Sequence, residues 1–242
     1  TSIDRIFVKY LLGTIKFAYY SFAVSVEGLL NVFITPIVVT LYNYLCTNNI
    51  PEKILKIKRI LLICVSMILL LTFPVKWLIN NYIIKYKESS NIIFILFAAQ
   101  FFSIIVRCIY NNLYKSEKKQ NRYFKIMIGI TIFAIISDVL FYRISKTNEA
   151  FAFATLLTSI VWFIIGEVDF DQYRYKINDY IFIGIICITY LITGLIVDNA
   201  IIGCCIYVGV LGITVLIFLK KEFRYLVEEG KNILRKLKEK LI

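Results

Sequence analysis

Long apolar segments recur along this chain from one end to the other, and most are at least about 18 residues long. A helix of that length crosses a hydrocarbon core of about 30 Å, because each residue advances the helix by about 1.5 Å. Hydrophobic residues make up 60% of the chain and charged residues 18%, whereas soluble domains have roughly 45–50% and about 25%. The sequence therefore predicts an all-α, polytopic helical membrane protein and excludes a single soluble domain.

The apolar segments predict seven complete transmembrane spans. The spans cover residues 17–45, 60–80, 91–113, 124–142, 149–166, 179–197 and 200–219. Residues 1–16 are partly apolar, but they are too short and too charged to cross a membrane alone. We therefore expect them to be the end of an eighth span that starts upstream, and the presence of Thr1 in place of Met is consistent with such a truncation.

Basic residues are distributed unequally between alternate loops. The loops after the first, third and fifth spans, together with the tail after residue 219, hold nineteen Lys and Arg residues, and the loops between them hold four. Because positively charged loops stay in the cytoplasm, we expect a multi-pass protein of the cell (inner or plasma) membrane with a cytoplasmic C-terminus. The net charge of +12 then reflects topology and attraction to anionic lipid headgroups, and no nucleic-acid partner is expected.

The tail, residues 220–242, is predicted to be an amphipathic helix. Its apolar residues recur at three- and four-residue spacing opposite a Lys-rich face. They are Phe223, Leu226, Val227, Leu234, Leu237 and Leu241. A helix of this kind lies in the interface of a lipid bilayer, and we expect this one to rest on the cytoplasmic leaflet.

The chain contains no histidine, and its six cysteines lie within apolar segments or at their ends, without a CxxC motif. Metal sites built on imidazole and Ser/His or Cys/His nucleophile pairs are therefore excluded. We interpret the cysteines as small buried apolar side chains and predict neither a metal site nor a cofactor.

Two of the predicted spans carry a stripe of polar side chains at membrane depth. Offsets of three, four or seven residues place the members of each stripe on one helical face. The stripes consist of Tyr20, Glu27, Asn31 and Thr35 in the first span and of Gln100, Ser103, Arg107 and Asn111 in the third. An ionisable group costs about 2.5–3.5 kcal/mol at this depth and usually faces a cavity or another polar group. We therefore expect both stripes to line a hydrated central cavity.

The charged members of these stripes predict specific roles. The Arg107 guanidinium offers a fork of donors suited to phosphate, and Glu27 would be a counter-ion or a protonatable switch. Alternatively, Glu27 and Arg107 pair with each other or with backbone, or Arg107 extends towards the headgroups. Asp138 in the fourth span is a further candidate, nearer the predicted outer surface, and Lys76 is expected to reach the membrane interface there.

One acidic pair favours a different class of protein. Asp169 and Asp171 form the sequence D-F-D at the predicted cytoplasmic end of the fifth span, and two carboxylates can hold a divalent cation against a nucleotide-sugar phosphate. The surrounding loop is too short to form a catalytic domain. We predict no enzymatic activity, and an integral-membrane acyl- or glycosyltransferase of envelope synthesis stays an alternative.

Several stretches of the chain occur in an order that is typical of one transporter family. They are SIDRIFVKYLLG followed by FAYYSFAVS, the basic segment EKILKIKRILL, the connection NNLYKSEKKQNRYFKI and the span AFAFATLLTSIVWFII. In this order they resemble the polysaccharide transporter branch of the multidrug/oligosaccharidyl-lipid/polysaccharide flippase superfamily, which includes O-antigen and teichoic-acid unit exporters. The first pair resembles the passage from the seventh to the eighth helix of these proteins, and the resemblance covers essentially the whole chain.

The resemblance implies a fold of two six-helix lobes around a central cavity, often followed by two extra helices, with both termini cytoplasmic. The chain would then be the second half of such a protein. Residues 1–16 would end a truncated helix, residues 17–166 would form five spans of the second lobe, and residues 179–219 would be the two extra helices.

The resemblance also implies a set of residues that line the cavity near the start of the chain. These are Asp4, Arg5, Tyr20, Glu27 and Asn31.

The function implied by the resemblance is the export of lipid-linked oligosaccharide or polysaccharide units by alternating access, with cationic groups neutralising the diphosphate of the lipid-linked substrate. Because such a cavity needs two lobes, we expect the chain to act with the missing N-terminal lobe or with a second copy. A multidrug/cation antiporter of the same superfamily is an alternative, since these proteins also use intramembrane carboxylates, and so is a noncatalytic accessory subunit.

Overall fold

The computed structural model describes residues 2–47 and 50–241, and these residues form helices and their connections only. In chain order the α-helices are α1 (Ser2–Leu12), α2 (Thr14–Gly28), α3 (Leu30–Thr47), α4 (Pro51–Ile68), α5 (Thr72–Asn81), α6 (Ser89–Ile105), α7 (Asn111–Ser116), α8 (Gln120–Ile144), α9 (Asn148–Asp169), α10 (Ile177–Leu195), α11 (Ala200–Phe218) and α12 (Lys220–Leu241). A π-helix, Val106–Tyr110, joins α6 to α7 without a break in the chain direction.

Six helical stretches of the described residues are long and apolar enough to cross a membrane. They are Thr14–Thr47, Ser89–Ser116, Gln120–Ile144, Asn148–Asp169, Ile177–Leu195 and Ala200–Phe218. The prediction of an all-α, polytopic membrane protein is thus confirmed, since six of the seven expected spans correspond to these helices.

The second expected span, 60–80, differs from the others because it is not a single α-helix. A 3-10 turn, Leu69–Leu71, separates α4 from α5. The first turns of α4 carry five charged residues, and α5 has only 10 residues, so neither helix alone has the length and apolar character of a span. The chain is nevertheless helical from residue 51 to residue 81.

Hydrogen bonds and ion pairs gather several basic segments at one end of the helix bundle, which we call the basic end. The Arg59 guanidinium in α4 contacts Asp179 at the start of α10, with 3.0 Å from Nε to Oδ1, and Glu222 at the start of α12, with 3.3 Å from Nη1 to Oε1. Arg122, at the start of α8, donates from Nε to Oδ2 of Asp169 at 2.8 Å. Helices α4, α8, α10 and α12 therefore all begin at the basic end.

Other contacts place three further helix starts at the opposite end. The Asn148 amide donates to the carbonyl of Lys16 at 3.0 Å, and the Ser89 hydroxyl donates to the carbonyl of Tyr19 at 2.9 Å. Helices α2, α6 and α9 thus begin at this opposite end. The loops alternate between the two ends, which is the arrangement expected from the distribution of Lys and Arg.

Lys76 lies at the opposite end and is buried. Its ammonium donates to the carbonyl of Gly194 at 2.7 Å and to that of Val197 at 2.9 Å. These carbonyls belong to the C-terminal turn of α10 and to the residues after it. The last carbonyls of a helix have no partner within the helix, and a cation there donates to them and interacts favourably with the helix dipole. Lys76 therefore caps the C-terminal end of α10.

The helices differ in how deeply they are packed. In the most apolar window of Ser89–Ser116, 83% of the residues are buried inside the protein, whereas the value is 22% for Thr14–Thr47 and for Gln120–Ile144. Helix α6 is thus the central helix, and it packs mainly against α9, α2 and α10. The outer faces of the peripheral helices expose large apolar side chains such as Leu29 and Phe33, which suits contact with lipid or with another helix bundle.

The first expected span, 17–45, consists of two helices. Regular bonding is interrupted at Leu29, whose amide donates to the carbonyl of Val26 at 3.2 Å and whose carbonyl accepts from Val32 at 3.3 Å. These i to i−3 bonds tighten the chain locally. The interruption lies between Glu27 and Asn31, so the polar stripe crosses it. Pro36 lies further along, inside α3, where the helix continues.

Helix α12 contacts the bundle through its first turns. Glu222 pairs with Arg59, and the Lys56 ammonium lies 3.6 Å from the ring centroid of Tyr225. Phe223 and Leu226 pack against the core, in line with the expected apolar face. The side chains of Leu234, Leu237 and Leu241, which complete that face in the sequence, lie outside the described part of the structure.

Candidate functional site

A cavity of about 300 Å³ lies between α1, α2, α6, α8 and α9, and we call it the acidic cavity. Its polar lining residues come from all five helices and from the π-helix. They are Asp4, Glu27, Gln100, Ser103, Arg107, Thr131, Asp138, Thr155, Thr158, Ser159 and Trp162. The two polar stripes of the sequence therefore meet in one place.

Of the eight candidate residues chosen from the sequence, five line this cavity. They are Asp4, Glu27, Gln100, Arg107 and Asp138. Tyr20 and Asn31 lie behind the lining and bond to it. Arg5 is not a lining residue, and its Nε is buried without a hydrogen-bond partner in the described part of the chain.

Arg107 is held by a chain of polar contacts. Its Nη1 donates to Oδ1 of Asn31 at 2.6 Å, and its Nη2 donates to Oε1 of Gln100, also at 2.6 Å. The Gln100 amide then donates to the Glu27 carboxylate. Glu27 and Arg107 are thus connected through Gln100, and they do not form the direct ion pair that was one alternative.

Arg107 lies in the π-helix Val106–Tyr110. A π-helical turn holds one more residue than an α-helical turn, so it shifts the register of the side chains on either side, and such turns occur frequently at functional sites. Nothing in the sequence pattern distinguishes this turn from the α-helix around it. The sequence placed Arg107 on the polar face, and the π-helix sets where that face points.

Two carboxylates that line the acidic cavity are almost completely buried. Asp4 and Asp138 are each 2% exposed. Oδ2 of Asp4 accepts hydrogen bonds from the Tyr20 hydroxyl at 3.3 Å and from the Thr155 hydroxyl at 2.9 Å. Oδ2 of Asp138 has no hydrogen-bond partner among the described residues. Two carboxylates that share a cavity repel each other when both are ionised, and a bound cation or proton relieves that repulsion.

Helix α9 supplies a wall of the acidic cavity that the sequence reasoning missed. Thr155, Thr158, Ser159 and Trp162 all line it, at offsets of three, four and seven residues. The Ser159 and Ser103 hydroxyl oxygens are 3.0 Å apart, so this wall meets the stripe on α6. The same test of helical spacing that identified the stripes in the first and third spans would have found it.

Trp162 also brings an unused donor to the cavity. Its indole Nε1 is buried and has no acceptor within the described residues. Buried polar groups without partners are uncommon in folded proteins. An unpaired donor on Trp162 and an unpaired acceptor on Asp138, in the same cavity, favour a polar ligand.

A second pocket, of about 240 Å³, lies next to the acidic cavity on the side of α3 and α7, and we call it the cationic pocket. Its lining residues are Ile34, Thr35, Val38, Arg107, Asn111, Asn112 and Lys115. Among its described lining residues are two cations and no carboxylate, whereas the described lining of the acidic cavity has three carboxylates and one cation. Arg107 is shared, so two pockets of opposite charge adjoin at this residue.

The acidic pair D-F-D is split between different partners. Asp169 accepts from the Tyr114 hydroxyl at 2.6 Å and from Arg122 at 2.8 Å, while Asp171 is exposed and lies 3.5 Å from Arg174. The two carboxylates therefore do not face one common position. Among the described residues, no group of three or more His, Cys, Asp or Glu side chains could hold a metal ion.

A further buried ionic group lies at the basic end, and we call it the Glu167 cluster. The sequence analysis did not predict it. It consists of Lys58, Tyr110, Glu167, Tyr175 and Tyr180. Glu167 accepts from the Lys58 ammonium at 2.7 Å, from the Tyr175 amide at 2.9 Å, from the Tyr180 hydroxyl at 2.6 Å and from the Tyr110 hydroxyl. Burial lowers the pKa of Lys58 to about 8, against the opposite effect of Glu167 beside it. In the sequence Lys58 counted only as a charge of a loop.

No family model matches the chain, and no curated protein and no solved structure is significantly similar to it. The resemblance to polysaccharide flippases therefore rests on the sequence stretches given above, and it stays a prediction.

Proposed function

We propose that this chain is part of a membrane transporter that exports lipid-linked saccharide units by alternating access. The observation that carries the proposal is the pair of adjoining pockets, one acidic and one cationic, inside a bundle of membrane-spanning helices. Polar side chains at membrane depth are costly and mark substrate and ion pathways. A substrate that carries both an anionic phosphate and many hydroxyl groups needs both kinds of surface.

The cationic pocket suits the phosphate part of such a substrate. Arg107 and Lys115 supply positive charge, and a guanidinium binds phosphate oxygens in a bidentate manner. One N–H on each terminal nitrogen of Arg107 remains after the bonds to Asn31 and Gln100. These two donors are available to an incoming anion.

The acidic cavity suits the sugar part. Carboxylates, amides and hydroxyls bond sugar hydroxyl groups in both directions, and the lining offers all three. Trp162 adds an aromatic face and a free N–H. A site with a largely apolar wall and a few convergent polar groups is typical of small-molecule binding.

The link between the two pockets provides a way to couple them. An anion that draws Arg107 towards Lys115 weakens the bond from Arg107 to Gln100, and Gln100 in turn orients Glu27. Binding on one side thereby changes the hydrogen bonding of a carboxylate on the other side. Uptake or release of a proton or cation at Glu27, Asp4 or Asp138 would then accompany the movement of substrate.

The decisive experiment measures export with the chain joined to the N-terminal lobe that the proposal requires. Arg107→Ala and Lys115→Gln are expected to lower the display of surface polysaccharide at least about tenfold while membrane insertion is unchanged. Lys125→Gln is the matched control, because Lys125 is exposed and lines neither pocket. Normal display in the Arg107 variant would refute the assignment of the site.

One observation favours a second candidate, a multidrug/cation antiporter. The acidic cavity holds three carboxylates against a single guanidinium, which suits a cationic substrate better than an anionic one. The two functions separate in one strain: loss of dye extrusion with normal surface polysaccharide on deletion indicates the antiporter, and the reverse indicates the flippase.

A further inference from the structure

A groove of about 650 Å³ lies at the basic end between α4 and α12, and we call it the α4–α12 groove. It shares no described lining residue with the acidic cavity or the cationic pocket. Its charged lining residues come from α4, from the residue before α10 and from α12. They are Glu52, Lys56, Arg59, Lys176, Lys221, Glu222, Arg224 and Glu228. Five are cations and three are carboxylates, so the groove has an excess of positive charge.

Most of that positive charge is not neutralised. Arg59 is occupied, since it contacts both Asp179 and Glu222. The other four cations form no ion pair within 4.0 Å of a described carboxylate. These four are Lys56, Lys176, Lys221 and Arg224. Even with Glu52 and Glu228 on the rim, the groove offers more cationic groups than its own carboxylates can pair.

Two of the five cations, Lys56 and Arg59, are held in place before any ligand arrives. The Lys56 ammonium lies 3.6 Å from the centroid of the Tyr225 ring, a cation–π distance. Arg59 ties α4 to the starts of α10 and α12 through Asp179 and Glu222. These contacts fix the helices that form the walls of the groove, so binding an anion does not require the walls to be assembled first.

The groove lies where two membrane-spanning helices reach their ends. Lys176 directly precedes Ile177, the first residue of α10, and Lys221 follows closely after Phe218, the last residue of α11. Ile177 and Ile217 are 73% and 66% exposed. Cationic groups therefore stand directly beside apolar surface, which is the pattern that an amphiphile with an anionic headgroup complements.

We propose that the α4–α12 groove binds the phosphate of an anionic membrane phospholipid, whose acyl chains lie along the exposed apolar faces of α10 and α11. The lipid then joins α12 to the bundle at the level of the headgroups. This site is separate from the acidic cavity and the cationic pocket, and it does not depend on what the protein transports.

The test uses the purified chain in a neutral detergent, with phosphatidylglycerol as the probe. Native mass spectrometry counts the bound lipid, and thermal unfolding reports its effect on stability. We expect one phosphatidylglycerol per chain to bind more tightly than phosphatidylcholine with the same acyl chains, and to raise the melting temperature. Equal binding of the two lipids would overturn the proposal, because the headgroup charge would then play no part.

Charge variants locate the site. Lys221→Gln combined with Arg224→Gln is expected to weaken binding by roughly tenfold or more, since each basic residue near an anionic surface contributes about a factor of five or so. Both side chains are exposed, so unfolding without lipid should be unchanged. The control, Lys125→Gln with Lys231→Gln, removes the same charge from exposed positions outside the groove and should bind as the unmodified chain does.

Two further outcomes would contradict the proposal. If the control weakens binding as much as the groove variant, the lipid responds to overall charge and not to this groove. If inorganic phosphate at the same concentration raises the melting temperature as much as phosphatidylglycerol, the groove recognises a soluble anion and not a lipid. The single substitution Lys176→Gln changes a different wall of the groove. It is expected to weaken lipid binding less than the double variant does, and unchanged binding would contradict the proposed site.

Discussion

Within the described part of the chain, the acidic cavity and the Glu167 cluster are buried ionic groups that differ in how completely their hydrogen bonds are satisfied. In the Glu167 cluster, one carboxylate accepts from an ammonium, two hydroxyls and a backbone amide. The Lys58 ammonium also donates to the carbonyl of Tyr173 at 2.6 Å. In the acidic cavity, Asp138 and Trp162 keep polar atoms without partners among the described residues.

This difference separates a structural role from a functional one. A buried ion is tolerated when excellent geometry and extra hydrogen bonds offset its desolvation, and the Glu167 cluster meets that condition. It connects α4, α9 and α10 with the π-helix, so it holds the central helix in register. The acidic cavity does not meet the condition, and groups left unpaired there are suited to a ligand that comes and goes. Satisfaction of hydrogen bonds, and not burial or charge alone, distinguishes the two sites.

The largest expected effect is on stability, and it comes from breaking the Glu167 cluster. Glu167→Gln leaves the fully buried Lys58 ammonium without its counter-ion, and removal of one partner of a buried pair costs about 3–5 kcal/mol. We expect the free energy of unfolding, measured by denaturant titration in detergent, to fall by that amount. The control is Glu117→Gln, whose partner Lys119 is exposed. A change below about 1 kcal/mol in the Glu167 variant would show that the cluster is not a structural anchor.

A smaller loss is expected from crowding the same cluster without changing its charge. A Cβ atom at Gly166 would lie 2.5 Å from the Tyr110 ring, so Gly166→Ala must displace that ring, whose hydroxyl donates to Glu167. Overpacking of a core typically costs about 1–3 kcal/mol. Gly209→Ala in α11 is the matched control, since no atom lies near its Cβ position. Thermal unfolding should separate the two variants, and equal melting temperatures would contradict the packing described for Tyr110.

Variants of the acidic cavity should change transport strongly and stability little, the opposite of what is expected for the Glu167 cluster. Asp138→Asn removes a buried carboxylate that has an unpaired oxygen, so we expect the stability to change by less than about 1 kcal/mol, whereas transport falls at least about tenfold. Transport by the chain joined to its proposed N-terminal lobe and unfolding of the purified chain are measured in parallel. Asp171→Asn, at the exposed basic end, should alter neither. Strong destabilisation by Asp138→Asn would assign that carboxylate to the scaffold.

The sequence predicted the membrane class and most of the cavity because both depend on local helical periodicity. Glu27 could be grouped with Asn31, and Gln100 with Arg107, because residues three, four or seven positions apart share a helix face. The Glu167 cluster could not be found in this way. Lys58 and Glu167 are 109 residues apart in the chain, and each has apolar or loop neighbours, so only the packing of α4 against the end of α9 brings them together.

The interruption at Leu29 and the π-helix at Val106–Tyr110 escaped prediction for a related reason. Both are deviations of one residue in the register of a helix whose composition is otherwise uniform. Tertiary contacts select such deviations, and single-sequence periodicity averages over them. Asn31 follows the interruption at Leu29, and Arg107 lies in the π-helix. The sequence therefore predicted which residues form the site, but it did not predict how these residues are arranged.

The smallest expected effect distinguishes two neighbouring threonines of α9 that both line the acidic cavity. Thr155 donates to Asp4 at 2.9 Å, whereas Thr158 donates only to the carbonyl of Ala154 in its own helix, also at 2.9 Å. Replacement by valine keeps the shape of the side chain and removes the hydroxyl.

Loss of one hydrogen bond to a charged group costs about 1.5–3 kcal/mol when the group is left unsatisfied, but Asp4 keeps its bond from Tyr20. We therefore expect Thr155→Val to lower transport several-fold with a stability loss near about 1 kcal/mol, and Thr158→Val to leave transport close to normal. If the two variants transport equally well, the hydroxyl of Thr155 does not support the carboxylate of Asp4 in transport. The functional assignment of the acidic cavity then depends on the unpaired polar atoms of Asp138 and Trp162.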